Sequence, residues 1–242
     1  MDDQFIIFYI LTLFAEIIGT VGGFGSSVFF VPLASLFFGF HEVLGITALL
    51  HVFSNTSKII LFRKGFDWDI FKKIGISSIV FVIIGAYLSK YLVTNIAELI
   101  LGLFLTIYAT FLLMHTKFVV PKNTPNAILG GGLAGFMAGF LGTGGAIRGL
   151  TLASFNLHKD TFLATSALID FGVDLSRFII YFEQNYINQK MLVHTPFLLV
   201  ISFVGSYIGK LLLSRISQEN FKKIALWLIL LVGIYSTYHF FK

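Results

Sequence analysis

The chain has 242 residues, of which 57% are hydrophobic and only 12% charged, with a mean hydropathy of +0.89 and a formal net charge of +5. A soluble domain carries about 25% charged residues, so most of this surface does not face water and the chain reads as an integral membrane protein. The absence of cysteine excludes a disulfide framework, a thiolate metal site and a cysteine nucleophile, and the basic residues, scattered between apolar blocks, do not form a nucleic-acid face.

The apolar runs are continuous and longer than the alternating strands of a membrane barrel, so helices are expected. Ten segments follow in chain order, at roughly 4–18, 28–38, 43–62, 71–88, 96–114, 126–140, 146–155, 161–182, 191–213 and 221–241. No basic residue precedes the first run, and a cleavable signal peptide is not expected. Six segments reach or approach the length of about 20 residues that a spanning helix needs. The first, second, sixth and seventh are short, and each short pair is joined by a glycine-rich turn, from Gly19 to Ser27 in one half and from Gly139 to Gly145 in the other. Half-membrane helices, or helices broken at mid-depth, leave that pattern.

The two halves repeat. Gly23-Phe24-Gly25 aligns with Gly142-Thr143-Gly144, Ala34-Ser35 with Ala153-Ser154, Thr47 with Thr165, and the stretch 85–90 with 205–210, at offsets near 120 residues. The expected architecture is therefore all-α, with two five-segment halves, residues 1–115 and 126–242, around a linker at 116–125. An odd number of segments per half inverts the second half relative to the first. With the N-terminus outside, the inner loops hold Arg63, Lys64, Lys72, Lys73, Lys117, Lys122, Lys159, Arg215, Lys222 and Lys223, against Lys90, Lys190 and Lys242 outside. That asymmetry predicts an N-out, C-out orientation.

The glycine turns are the first candidate site. Glycine permits a sharp turn, and a helix starting just beyond it points bare N–H groups and its positive dipole end at a ligand. Two inverted copies would bring Gly23, Gly25, Ser26 and Ser27 together with Gly142, Thr143, Gly144 and Gly145 near mid-membrane as an anion site. Close helix packing is the competing explanation, and it is preferred for Gly130, Gly131, Gly132 and Gly135. Arg148, beside the second turn, offers a planar fork that suits an oxyanion, or else snorkels to the interface. Segment eight carries Thr165 and Ser166, and places Asp170, Asp174 and Arg177 on one face. Asp174 is expected to pair with Arg177, leaving Asp170 as an acid without a cation partner, available for proton coupling. Segment three has a matching stripe, Thr47, His51, Asn55 and Lys58, which lines a cavity or only packs. Glu16 stands apart in segment one, either carrying a proton or paired with a lysine or arginine. No metal-ligand spacing or nucleotide-binding loop is present in the sequence.

These motifs in this order resemble the TauE/SafE family of sulfite exporters. The resemblance is carried by Gly22-Gly23-Phe24-Gly25 with Pro32, Gly45-Ile46-Thr47, the run 63–68, Gly85-Ala86-Tyr87-Leu88, and Gly139 to Gly145 with Ala164-Thr165-Ser166; Phe24 interrupts the first glycine run. It implies a multi-pass carrier of the bacterial inner membrane built on an inverted repeat. Such a carrier moves sulfite, sulfonates or related sulfur-containing anions by alternating access, with proton coupling left open. The implied partners are a small anion and the bilayer, without a cofactor or nucleic acid, and a homo-oligomer is left open. Two readings from other classes stand beside it: an intramembrane enzyme using Asp170 and Asp174 as paired acids, and a membrane scaffold without a substrate.

Overall fold

The computed structural model describes residues 3–241 except 24, 63, 64, 116, 117, 119, 156, 214, 216 and 217. Phe24 of the first turn and the loop cations Arg63, Lys64, Lys117 and Lys242 therefore lie outside the described residues, as do the side chains of Lys159, Lys190, Lys222 and Lys223. Among the described residues there are helices and no strand. In order they are α1 (Asp3–Gly22), α2 (Ser27–Ala34), α3 (Phe40–Leu61), α4 (Trp68–Ser89), α5 (Thr94–Met114), α6 (Thr124–Leu141), α7 (Gly145–Ala153), α8 (Lys159–Glu183), α9 (Thr195–Leu213) and α10 (Gln218–Phe240). α4 contains a π-helical stretch at Phe71–Gly75, and a single turn at Gln189–Leu192 leads into α9.

Phe5–Gly22 of α1, all of α3, α4 and α9, and Asn95–Met114 of α5 are long and apolar enough to cross a membrane. α8 is longer still at 25 residues, but Asp170, Asp174 and Arg177 interrupt its apolar character. Local chemistry sets the helix starts. The Asp67 carboxylate accepts from the Ile70 amide at 3.0 Å to begin α4, and the Asn123 side chain accepts from the Asn126 amide at 2.8 Å to begin α6, with Pro125 in its first turn.

Only one member of each turn-joined pair is short, which corrects the sequence reading. α2 and α7 have 8 and 9 residues, whereas α1 has 20 and α6 has 18. Gly19 and Gly139 lie inside helices rather than in turns. Both mark close approach: a Cβ on Gly19 would stand 2.4 Å from the Ser26 backbone, and one on Gly139 would stand 2.2 Å from the Val82 carbonyl oxygen. The turns themselves use the left-handed backbone at Gly23, Gly25 and Gly142, with φ of 67°, 81° and 78°.

Small residues also organise the packing, as expected where lipid gives helices no hydrophobic reason to associate. α6 lies on α4, where Cβ atoms on Gly131, Gly135 and Gly85 would meet the Ile74, Ser78 and Phe136 carbonyls at 2.1–2.5 Å. α1 lies on α9 in the same manner, with Gly205 against Glu16 and Gly209 against Thr20. α5 and α10 pair reciprocally, Gly102 against Thr237 and Gly233 against Thr106. α3 and α8 pack together between these pairs, α3 also touching α9 and α8 also touching α4.

Gly135→Val should destabilise the detergent-solubilised protein by about 1–3 kcal/mol or more, because its new atoms meet backbone that cannot rotate away. Gly132→Ala, which faces only the Phe81 ring at 3.3 Å, should leave the thermal midpoint nearly unchanged.

Candidate functional site

Each glycine turn delivers a helix start. Ser26 precedes α2 and Gly144 precedes α7, and the amides of a first helical turn have no partner within their own helix. The turns face one another: a Cβ on Gly25 would lie 3.7 Å from Nη2 of Arg148 and 3.9 Å from the Gly145 Cα. Between them and the polar stripes of α3 and α8 lies a cavity of about 20 Å³, little more than one water requires. The first turn contributes Gly25, Ser26 and Ser27, and the second contributes Gly142, Gly144, Gly145 and Arg148. α3 supplies His51, Asn55 and Lys58, while α8 supplies Asp170, Asp174 and Arg177. A second small cavity shares Gly25, Asn55, Lys58 and Asp170 and extends to Gly23 and Ser166.

Asp170 is not the spare acid expected from the sequence. It forms a close ion pair with Arg148, whose Nε also lies 3.4 Å from the Ser166 hydroxyl. Arg148 sits in the first turn of α7, which faces α8, so the guanidinium reaches Asp170 across the helix interface rather than the membrane surface. Asp174 takes the other arginine as expected, with Nε and Nη2 of Arg177 at 2.8 and 2.7 Å from Oδ1. Its second oxygen accepts from Asn55 at 2.6 Å. Arg177 Nη1 then donates to the carbonyls of Ala138 and Gly142, both at 3.0 Å. Those oxygens belong to the C-terminal end of α6, where a cation offsets the helix dipole.

Glu16, fully buried, is not isolated either. Its two oxygens accept short hydrogen bonds from the Ser26 and Ser54 hydroxyls. Lys58 Nζ stands 3.9 Å from Oε2, and His51 Nε2 stands 4.0 Å from Oε1. His51 also lies 2.9 Å from the Ser26 hydroxyl and 3.1 Å from Arg177 Nη2. Three carboxylates, Glu16, Asp170 and Asp174, thus meet three cations, Lys58, Arg148 and Arg177.

Three expected site residues are placed elsewhere. The Thr47 hydroxyl donates to the Val43 carbonyl of its own helix at 2.6 Å, and that of Thr165 accepts from the Asp67 amide at 3.0 Å, tying the start of α4 to α8. Thr143 is buried in the second turn, its hydroxyl without a partner among the described residues. From the sequence, Lys58 reads only as part of the segment-three stripe, and Ser54 not at all. Lys58 carried the same signal as Arg148, a cation within an apolar segment, whereas a serine such as Ser54 gives no signal of its own.

Asp174→Asn should cost about 3–5 kcal/mol by leaving Arg177 buried and unpaired. Replacing both partners together, as Asp174→Leu with Arg177→Met, should recover part of that loss in denaturation measured in detergent.

No curated protein and no solved structure matches the chain. The family model of the sulfite exporter TauE/SafE matches residues 8–236, a span that reaches from α1 into α10 and includes both glycine turns and both polar stripes. That family consists of membrane transporters rather than enzymes. With its apolar helices and a match over nearly its whole length, the chain is a multi-pass membrane transporter and belongs to the sulfite exporter TauE/SafE family.

Proposed function

We propose that this transporter carries a small oxyanion, either sulfite, a sulfonate or another sulfur-containing organic anion, across the bacterial inner membrane by alternating access around the cavity between its glycine turns. The observation that carries this reading is the Arg148–Asp170 pair at the start of α7. A carboxylate seated on a guanidinium beside helix N-termini is the arrangement in which an oxyanion would sit. Asp170 holds that place in the empty protein, and Lys58 lines the same cavity from the opposite half. A substrate anion displaces Asp170 from Arg148, accepts amide hydrogen bonds from the starts of α2 and α7, and takes Lys58 as a second cation. The small cavity volume fits a closed state that must open to admit it. Helix dipole ends supply only about half a charge each, so the formal charges dominate binding.

The two halves, 1–115 and 126–242, are read as inverted copies. The packing supports this: α1 on α9 answers α6 on α4, α3 with α9 answers α8 with α4, and α3/α8 and α5/α10 are self-paired. The N-terminus is placed outside, on the loop charges. The acid-pair enzyme reading loses its basis, since both aspartates are held by arginines.

Sulfite, thiosulfate or methanesulfonate should raise the thermal midpoint of the purified protein. Arg148→Ala should abolish the effect, and Arg148→Lys should weaken it by about tenfold, because a point charge replaces a fork. Asp170→Asn should be unstable without anion and rescued by it. Full anion stabilisation of folded Arg148→Ala would overturn the site.

The orientation is tested by single cysteines in a chain that has none. Gly65 has φ of 98°, so the exposed Asp69 is the better position on that side, with Tyr91 on the other. An impermeant thiol reagent added to intact cells should label Tyr91→Cys and spare Asp69→Cys.

A further inference from the structure

The anion site leaves Glu16, Ser26 and His51 without a task, yet they form one hydrogen-bonded chain at its edge. The direction of that chain follows from donor chemistry. Arg177 has only donors, so His51 Nδ1, 3.1 Å from Arg177 Nη2, must accept. The imidazole proton is then on Nε2, which donates to the Ser26 oxygen at 2.9 Å. The Ser26 hydroxyl in turn donates to Glu16 Oε1, while Ser54 donates to Oε2. Glu16 thus accepts at both oxygens, with Lys58 beside it. With His51 neutral, the six charges around the cavity cancel.

An anion entering this cavity adds a negative charge to a balanced, water-poor interior, where an uncompensated charge is strongly disfavoured. We propose that His51 is the proton-coupling residue, taking up one proton for each monovalent anion bound. This rests on the anion-site reading above. The proton is taken up at Nδ1, the ring nitrogen without a hydrogen, from the cavity that His51 lines, while the Nε2 N–H stays on the Ser26 oxygen. His51 gains its second N–H at Nδ1, releasing Arg177 Nη2, and that N–H turns to Asp174 Oδ2, now 3.8 Å away. Protonated His51 then lies between two carboxylates, Glu16 at 4.0 Å and Asp174 at 3.8 Å. Anion and proton together restore neutrality, so transport of a monovalent anion is electroneutral.

The surroundings of His51 are accounted for on every side. α1 presents Glu16, and α2 begins at Ser26. α8 presents Asp174 and Arg177, with Asp170 one turn away on Arg148. Asn55 and Lys58 lie on the same helix as His51. On α9 the buried hydroxyls are uncharged, that of Ser202, which donates to the Leu50 carbonyl at 3.3 Å, and that of Ser206, and Tyr108 of α5 donates to the Ala146 carbonyl at 2.7 Å. Among the described residues in contact with His51 none but Glu16 and Asp174 carries negative charge, and both are already placed to receive an imidazolium.

The test uses the purified full chain in detergent with methanesulfonate, whose charge is constant between about pH 5.5 and 8.5, the range in which imidazoles titrate. In the wild type, affinity should fall about tenfold per pH unit on the alkaline side, and titration in buffers of different ionisation heat should read about one proton taken up per anion. His51→Gln should lose the slope whatever its absolute affinity. Should His51→Gln fold poorly, imidazole ¹⁵N resonances of the wild type serve in its place: one protonated nitrogen without anion, two with it. Binding without proton uptake, or a slope kept in His51→Gln, overturns the coupling and leaves the anion site standing. No binding of methanesulfonate, sulfite or thiosulfate at any pH overturns the anion site and the coupling with it.

Discussion

A charge held in a low-dielectric interior is costly unless an opposite charge and good hydrogen bonds accompany it, and the centre of this protein is arranged around that constraint. Arg177 illustrates it most fully. It pairs with Asp174 on its own helix, places Nη1 on two carbonyls at the end of α6, and brings Nη2 to His51 on α3. One side chain thereby fixes the end of α6, the face of α8 and the tautomer of His51. Asn55 closes the arrangement from α3 through Asp174. Without that pairing, α3 and α8 would bring unmatched polar stripes together between apolar neighbours.

The charged centre requires a firm frame, and the glycine contacts provide it. α4 with α6, and α1 with α9, approach so closely that a Cβ at the contact glycines would meet backbone or a neighbouring side-chain stem. Such contacts have little slack and favour pairs that move as units. The two short helices are held differently. α2 and α7 follow turns with left-handed glycines, Gly23 and Gly25 in one and Gly142 in the other, and their first turns contribute to the cavity. Rigid pairs beside short, turn-hinged helices are a natural division between scaffold and moving parts in a carrier.

Much of this was legible from residue order alone. The continuous apolar runs gave an all-helical membrane chain, the three-residue spacing gave Asp174–Arg177, and the recurrence of glycine turns drew attention to the region that became the cavity. What escaped was what sequence spacing cannot encode. Gly19 and Gly139 read as turn residues because a helix interior glycine and a turn glycine look alike until the neighbouring helix is placed. Asp170 read as unpaired because its partner, Arg148, lies 22 positions earlier on another helix, beyond any local periodicity. Thr47 and Thr165 matched each other in the repeat, yet one hydroxyl returns to its own helix and the other holds a loop amide.

The Arg148–Asp170 pair bears on how tightly a carrier should hold its cargo. An arginine left bare in a closed cavity would be destabilised by several kcal/mol, and an anion that relieved it would be bound correspondingly tightly and released slowly. A carboxylate one interface away changes that balance. At the anion site we propose, Asp170 would replace each departing anion at high effective concentration, and the empty site would remain near the energy of the filled one. Catalysis of transport depends on that parity, because both the loaded and the empty protein must cross between orientations. On that proposal Asp170 works against affinity in order to serve turnover, and a neutral, well-bonded interior in the empty state would allow the carrier to return without its cargo.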